Sequence, residues 1–131
     1  MSRCFVIQPF DSGKFDKRYV DVFVPAIEAA KLKPYRVDKD ASINDLLDGI
    51  RTGIGDSLAF LADITTDNPN VWYELGYAMC MNVPFCVCCS EERTTNFPFD
   101  VSHLNIIKYK VGSSSDFTEL GAKISERLKA V

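Results

Sequence analysis

The sequence predicts one α/β domain built on a parallel sheet of about five strands, with helices packed on both faces. Three observations carry this. Short apolar runs at Cys4–Ile7, Leu58–Ala62 and Pro84–Cys89 are continuous rather than alternating, as in strands buried on both faces. The segments between them repeat apolar residues at helical spacing. Strands that alternate with helices favour parallel pairing, because each crossover needs a helix's length of chain.

Taken in order, Cys4-Phe5-Val6-Ile7 is the first strand, ended by the turn residues Gln8-Pro9-Phe10-Asp11-Ser12-Gly13. A helix follows from about Phe15 to Leu32, with Val20, Phe23, Ile27 and Ala30 as its apolar stripe and Pro25 as a kink or early break. Pro34–Val37 reads as a short second strand. Ser42 with Asp45 is a cap-like start for a helix carrying Leu46, Leu47, Ile50 and Ile54, with Gly53 and Gly55 near its end. Leu58–Ala62 is the central strand and ends on Asp63.

A polar loop then leads into a helix from about Val71 to Met81, with Asn82 as its left-handed cap. Pro84–Cys89 is the fourth strand, Glu91–Asp100 a polar excursion, and Ile106–Tyr109 a fifth, edge strand. Asp116 with Glu119 resembles a capping box, and Phe117, Leu120, Ile124 and Leu128 stripe the last helix.

The 131 residues, 47% hydrophobic and 25% charged, fit one domain spanning 1–131. A net charge of −3 and a pI near 5.1 supply no basic footprint for a phosphate backbone, so nucleic acid is not an expected partner. No apolar run approaches the roughly 18 residues of a membrane span, and the expected location is cytoplasmic. The five cysteines lie in or beside apolar segments and read as reduced core thiols. Cys86, Cys88 and Cys89 lack the paired spacing of a metal site, and neither a metal nor a cofactor is expected.

In a doubly wound sheet, ligands bind beyond the carboxyl ends of the strands where strand order reverses. With the flavodoxin-like order 2-1-3-4-5, that point lies between strands one and three. It sets Gln8, Pro9 and Phe10 opposite Asp63, Asn68 and Asn70, which are the substrate-binding candidates. At about 100° per residue, Val71, Leu75 and Ala78 form an apolar stripe, and Glu74 lies on its flank about 40° from Ala78. Burial there raises its pKa and the helix dipole lowers it; the sequence leaves the balance open.

The run Ala62-Asp63-Ile64-Thr65-Thr66-Asp67-Asn68-Pro69-Asn70-Val71-Trp72-Tyr73-Glu74-Leu75-Gly76-Tyr77-Ala78 resembles the signature of the nucleoside 2-deoxyribosyltransferase-like superfamily, above all its Tyr-Glu-Leu-Gly core. Phe5-Val6-Ile7-Gln8-Pro9-Phe10 resembles the first strand and loop of a bacterial branch of that superfamily, which is related to deoxynucleoside monophosphate N-glycosidases. The resemblance implies cleavage or transfer of the N-glycosidic bond of a nucleoside or nucleotide. It makes Glu74 the nucleophile that attacks the anomeric carbon and Asp48 the acidic helper that protonates the departing base.

The resemblance also implies a homodimer or larger assembly, and it places Asn68, six residues before Glu74, near the sugar's 5′ side. An asparagine there is equally a helix cap, and Asp63 either orients the loop or touches the ligand. Trp72 and Tyr73 stack a base or serve as core and subunit contacts. His103, a lone histidine in a loop, reads as a surface residue.

The glycine that such relatives carry after strand one is replaced here by Gln8-Pro9, and the phosphate-gripping residue by Phe10-Asp11. An uncharged nucleoside, or a ligand whose phosphates leave by another route, is therefore expected in preference to a deoxynucleoside monophosphate. Two other readings compete with the enzyme: a non-catalytic nucleotide-binding or signalling module, and an NAD-cleaving activity like that of TIR domains.

Overall fold

The computed structural model describes residues 2–98, 100–101 and 103–131. Five strands, β1 (Arg3–Ile7), β2 (Lys33–Tyr35), β3 (Ala59–Asp63), β4 (Phe85–Ser90) and β5 (Ile106–Tyr109), form one sheet. All neighbours are parallel, in the order β2-β1-β3-β4-β5. The expected order is the observed one. Helices α1 (Lys14–Arg18), α2 (Val24–Ala29), α3 (Leu46–Gly55), α4 (Pro69–Cys80) and α5 (Ser114–Lys129) make the crossovers and the two outer layers.

Side chains alternate across a strand, so each strand feeds two cores. Cys4, Val6, Leu61, Cys86 and Cys88 pack with Phe23, Ile27, Leu120, Ile124 and Leu128 beneath α2 and α5. Phe5, Ile7, Phe60, Ala62 and Val87 pack with Ile50, Ile54, Val71, Leu75 and Ala78 beneath α3 and α4. This double burial is why the strands read as unbroken apolar runs. Four of the five cysteines are buried, while Cys80 at the end of α4 is exposed, so the core-thiol reading does not extend to it.

Several local expectations shift. The first helix does not break at Pro25. Between α1 and α2, Tyr19–Phe23 winds as a π-helix, and the Val24 N–H donates to the Tyr19 carbonyl. A widened turn ahead of proline relieves the clash of its ring with the carbonyl four residues back. Strand β2 stops at Tyr35, and Val37–Lys39 forms a 3₁₀ turn in place of the strand's expected end.

Asp45 itself caps α3, accepting from the N–H groups of Leu47 and Asp48, whereas Ser42 bonds to Asp40. The capping box of α5 pairs Ser113 with Asp116, not Asp116 with Glu119. Asn82 has φ 55°, as expected of a left-handed cap.

Gly53 is a packing residue rather than a terminator. A Cβ there would lie 2.6 Å from the Phe5 ring, and one at Gly49 would lie 2.7 Å from Val37. The two glycines let α3 settle directly onto β1 and onto the 3₁₀ turn that follows β2.

Candidate functional site

Helix α4 packs against β1 and β3, between whose carboxyl ends the strand order reverses. Asn68 starts that helix: its Oδ1 accepts from the N–H groups of Asn70 and Val71, and Pro69 follows at the first helical position. Capping thus accounts for the Asn68 oxygen. Asn70 is exposed on the first turn.

Glu74, in the second turn, is far more deeply buried than its place on the flank of the stripe suggests, with 1% of its surface exposed. Neither carboxyl oxygen has a hydrogen-bond partner among the described residues. Loss of water pushes its pKa up to about 8, the Asp38 carboxylate adds to the rise, and the Arg36 guanidinium opposes it. The balance the sequence leaves open falls to burial, because the helix dipole fades beyond the first turn. In this state Glu74 is closed to solvent, and a ligand reaches it only if side chains around the switch point shift.

Arg36 and Asp38 were not among the residues that sequence reasoning singled out. Arg36 is 2% exposed, although it follows a strand of only three residues. Its Nε and Nη2 donate to Asp38 at 2.9 and 2.5 Å, and its Nη1 donates to Asp16 at 3.0 Å. The guanidinium lies 4.9 Å from the Phe10 ring centroid and 4.8 Å from that of Tyr19. Phe10 is thereby tied to the end of β2. The signal available was position alone, since the carboxyl end of a strand beside the switch point is where ligands bind.

Gln8 is buried at the end of β1. Its Nε2 donates to the Phe15 carbonyl at 3.0 Å, and its Oε1 has no partner. Pro9 is buried beside it. Asp11 closes the loop on itself: its carboxylate accepts from the N–H groups of Gly13, Phe15 and Asp16. Partial burial raises its pKa, but those backbone donors outweigh it and the net shift is downward.

Asp63 is engaged from within the chain. It accepts from the Thr65 N–H and hydroxyl, and Tyr109 donates to its other oxygen at 2.6 Å. Burial raises its pKa against the pull of these bonds. Arg18, itself buried, donates to the Tyr109 oxygen at 2.8 Å and pairs with Glu92. The arrangement braces the carboxyl ends of β3 and β5 and orients the loop after β3.

Arg93 secures the same loop from the far side. It donates to the carbonyls of Thr65, Thr95 and Asn96, pairs with Asp67 at 2.9 Å, and lies over the Phe97 ring. Trp72 packs edge-on against Phe97, so it belongs to the packing of the polar excursion.

Asp48 stands apart. Its side chain is 73% exposed on α3, 4.0 Å from Arg51, and it is not among the charges that act on Glu74. The carboxylate whose charge reaches Glu74 is that of Asp38. A cavity of about 480 Å³, lined by Lys14, Lys17, Arg18, Val22 and Phe117, lies between the first helical run and α5, on the other face of the sheet from Glu74. No helix among the described residues is long and apolar enough to cross a membrane.

No family model matches the chain, and no curated protein does. Solved structures do. The CMP N-glycosidase BcmB of Clostridium botulinum matches with a TM-score of 0.62 and 15% identity, over 90% of this chain and 97% of that one. A diflavin flavoprotein from Nostoc sp. matches with a TM-score of 0.64 and 11% identity, over 98% of this chain and 92% of that one. At such identities the likeness is one of fold: the chain has the flavodoxin-like architecture, which an N-glycosidase and a flavoprotein share.

Proposed function

We propose that the protein cleaves or transfers the N-glycosidic bond of a nucleoside or nucleotide, with Glu74 as nucleophile. The observation that carries this reading is the Glu74 carboxyl, buried without a partner beside the switch point. A carboxyl that gives nothing to the fold and is held away from water has the makings of a nucleophile once ionised. A Glu74 oxygen attacks the anomeric carbon as the bond to the base breaks. Water or a second base then displaces the carboxylate from the glycosyl-enzyme. The likeness of fold to a CMP N-glycosidase supports an N-glycosidic reaction as one use of this architecture.

The test is incubation with nucleosides, nucleoside monophosphates and NAD, reading base release by chromatography and the intact protein by mass spectrometry. Base release that Glu74→Gln abolishes, with a sugar adduct on the wild-type chain, is the expected result. Full turnover by a folded Glu74→Gln variant overturns it. Release of nicotinamide alone favours the NAD-cleaving reading. Binding with no release from any substrate favours the non-catalytic module, for which the closed state of Glu74 speaks.

The proposal extends to self-association. Leu46 and Leu47 at the start of α3 and Tyr73 on α4 are exposed together with the Arg51–Tyr73 contact between those helices. A second copy seated there buries them and screens the approach to the site.

A further inference from the structure

The cavity between the first helical run and α5 lies across the sheet from Glu74 and has a chemistry of its own. Its volume of about 480 Å³ falls within the roughly 300–1,000 Å³ of small-molecule sites. Arg18 lines it, although only 7% of that residue is exposed.

The Arg18 guanidinium is held in place from within the chain. Its Nη1 donates to the Tyr109 oxygen at 2.8 Å and to Glu92 at 3.4 Å. Its carbon lies 5.0, 5.4 and 5.3 Å from the ring centroids of Phe15, Tyr109 and Phe117. Nε and Nη2 bond to no described residue, and unlike the sealed oxygens of Glu74 they keep some contact with solvent. These two nitrogens form the edge of the guanidinium whose parallel N–H groups match the two oxygens of a carboxylate. Arg36 uses the same edge in this chain, giving Nε and Nη2 to the two oxygens of Asp38.

The rest of the lining favours the same kind of ligand. Lys14, Lys17 and Arg18 set three cations against the single carboxylate of Asp21, in a chain whose net charge is −3. Lys17 is paired with Asp21 and Lys14 with Glu92, so the open edge of Arg18 is the anchoring donor. Val22 and Phe117 add an apolar wall.

We infer that this cavity binds a small aromatic carboxylate. The carboxylate takes Nε and Nη2 of Arg18, and the aromatic body lies against Val22 and Phe117, where ring contact adds to the area buried. A bare inorganic anion leaves the apolar wall wet, and a neutral ligand leaves the cationic edge without its partner. The inference stands whether or not Glu74 is a nucleophile, because it uses neither that residue nor the switch point.

The experiment measures the binding of 2-naphthoate, of its neutral counterpart 2-naphthamide and of inorganic phosphate to the whole chain by calorimetry. Arg18→Lys keeps the charge and removes the paired edge. It also disturbs the bond to Tyr109, so two variants at an exposed position of the lining accompany it. Thr118→Glu adds a carboxylate there, on helix α5, and Thr118→Gln adds the same bulk without the charge.

Wild type is expected to bind 2-naphthoate with a dissociation constant below about 1 mM, and about tenfold or more tightly than 2-naphthamide. Arg18→Lys and Thr118→Glu are expected to reduce that preference to about twofold or less, while Thr118→Gln keeps it. Phosphate is expected to give no heat of binding at millimolar concentration. Equal affinity for 2-naphthoate and 2-naphthamide overturns the inference, as does phosphate that binds as tightly as 2-naphthoate, or no binding of 2-naphthoate at millimolar concentration. A preference that survives in folded Arg18→Lys places the carboxylate elsewhere and overturns it too. If Arg18→Lys does not fold, the Thr118 pair decides, and equal preference in its two variants overturns the inference.

Discussion

Asp38 and Glu74, carried by a turn and a helix that are remote in sequence, are coupled through charge: burial holds a proton on Glu74, and the Asp38 carboxylate adds to that hold. Folding therefore takes up a proton that the unfolded chain releases at the ordinary carboxylate value of 4.5. A raised folded pKa means that the contribution to stability is complete below about 4.5 and is lost as pH rises through about 8. Urea midpoints measured from pH 4.5 to 8 are expected to fall for wild type. The difference between wild type and Glu74→Leu isolates this group from other titrations, and it should widen with pH by on the order of a few kcal/mol. A constant difference across that range refutes the raised pKa of Glu74.

Glu74→Leu itself is expected to stabilise the protein at neutral pH while abolishing base release. Replacing an unpartnered buried carboxyl by a hydrocarbon of similar volume removes a desolvation cost of about 1–3 kcal/mol. A thermal midpoint below that of wild type at pH 7 shows that Glu74 has a partner in solution and contributes to the fold.

Asp38→Asn removes the acidic neighbour and leaves Arg36, which favours the ionised form of Glu74. If Glu74 attacks as a carboxylate, kcat/KM for base release rises with pH through about 8 in wild type. In Asp38→Asn that limb is expected to move to lower pH. An unmoved limb assigns the titration to another group.

Asp63 is expected to matter for folding more than for ligand contact, since both its oxygens are engaged within the chain. Asp63→Ala orphans the Thr65 and Tyr109 donors and should cost about 2–4 kcal/mol in denaturant unfolding, against about 1–2 kcal/mol for Tyr109→Phe. Asp63→Asn retains most of the bonding and should bind nucleoside within about threefold of wild type. A tenfold loss of affinity in that variant, about 1.4 kcal/mol, makes Asp63 a ligand contact.

Light scattering at micromolar concentration is expected to give a dimer or larger species for wild type. Leu47→Glu, which sets a charge into the exposed apolar patch on α3, is expected to give a monomer. A wild-type monomer removes the assembly from the proposal.

The alternation of strands with helices and the helix that carries Glu74 were legible because they depend on which residues are apolar and how far apart they stand, whereas the strand order came from the flavodoxin-like resemblance. For Asn68 the sequence offered a cap and a ligand contact equally, and the structure gives its oxygen to the N–H groups of Asn70 and Val71. The surroundings of Glu74 were not legible. Helix phase gives the direction in which a side chain points and says nothing of what faces it, and here the facing turn follows a strand of three residues.

The buried arginines were hidden for a related reason. Arg18, Arg36 and Arg93 lie inside only because acidic groups and aromatic rings from distant elements surround them. Ser42, Asp45 and Asp116 illustrate the smaller limit: several short polar side chains stood near each helix start, and backbone geometry chose among them.

The π-helical turn at Tyr19–Phe23 places one more residue in the winding than an α-helix would, which offsets the two ends of the run by about 100° in phase. The leading end directs Asp16 to Arg36, while the trailing end directs Ala26 and Ile27 into the core beneath α5. One continuous rod thus serves two masters on separate azimuths. Deleting a residue within Tyr19–Phe23 would restore regular winding and turn one end away from its target, so the helix is irregular where its two duties must be reconciled.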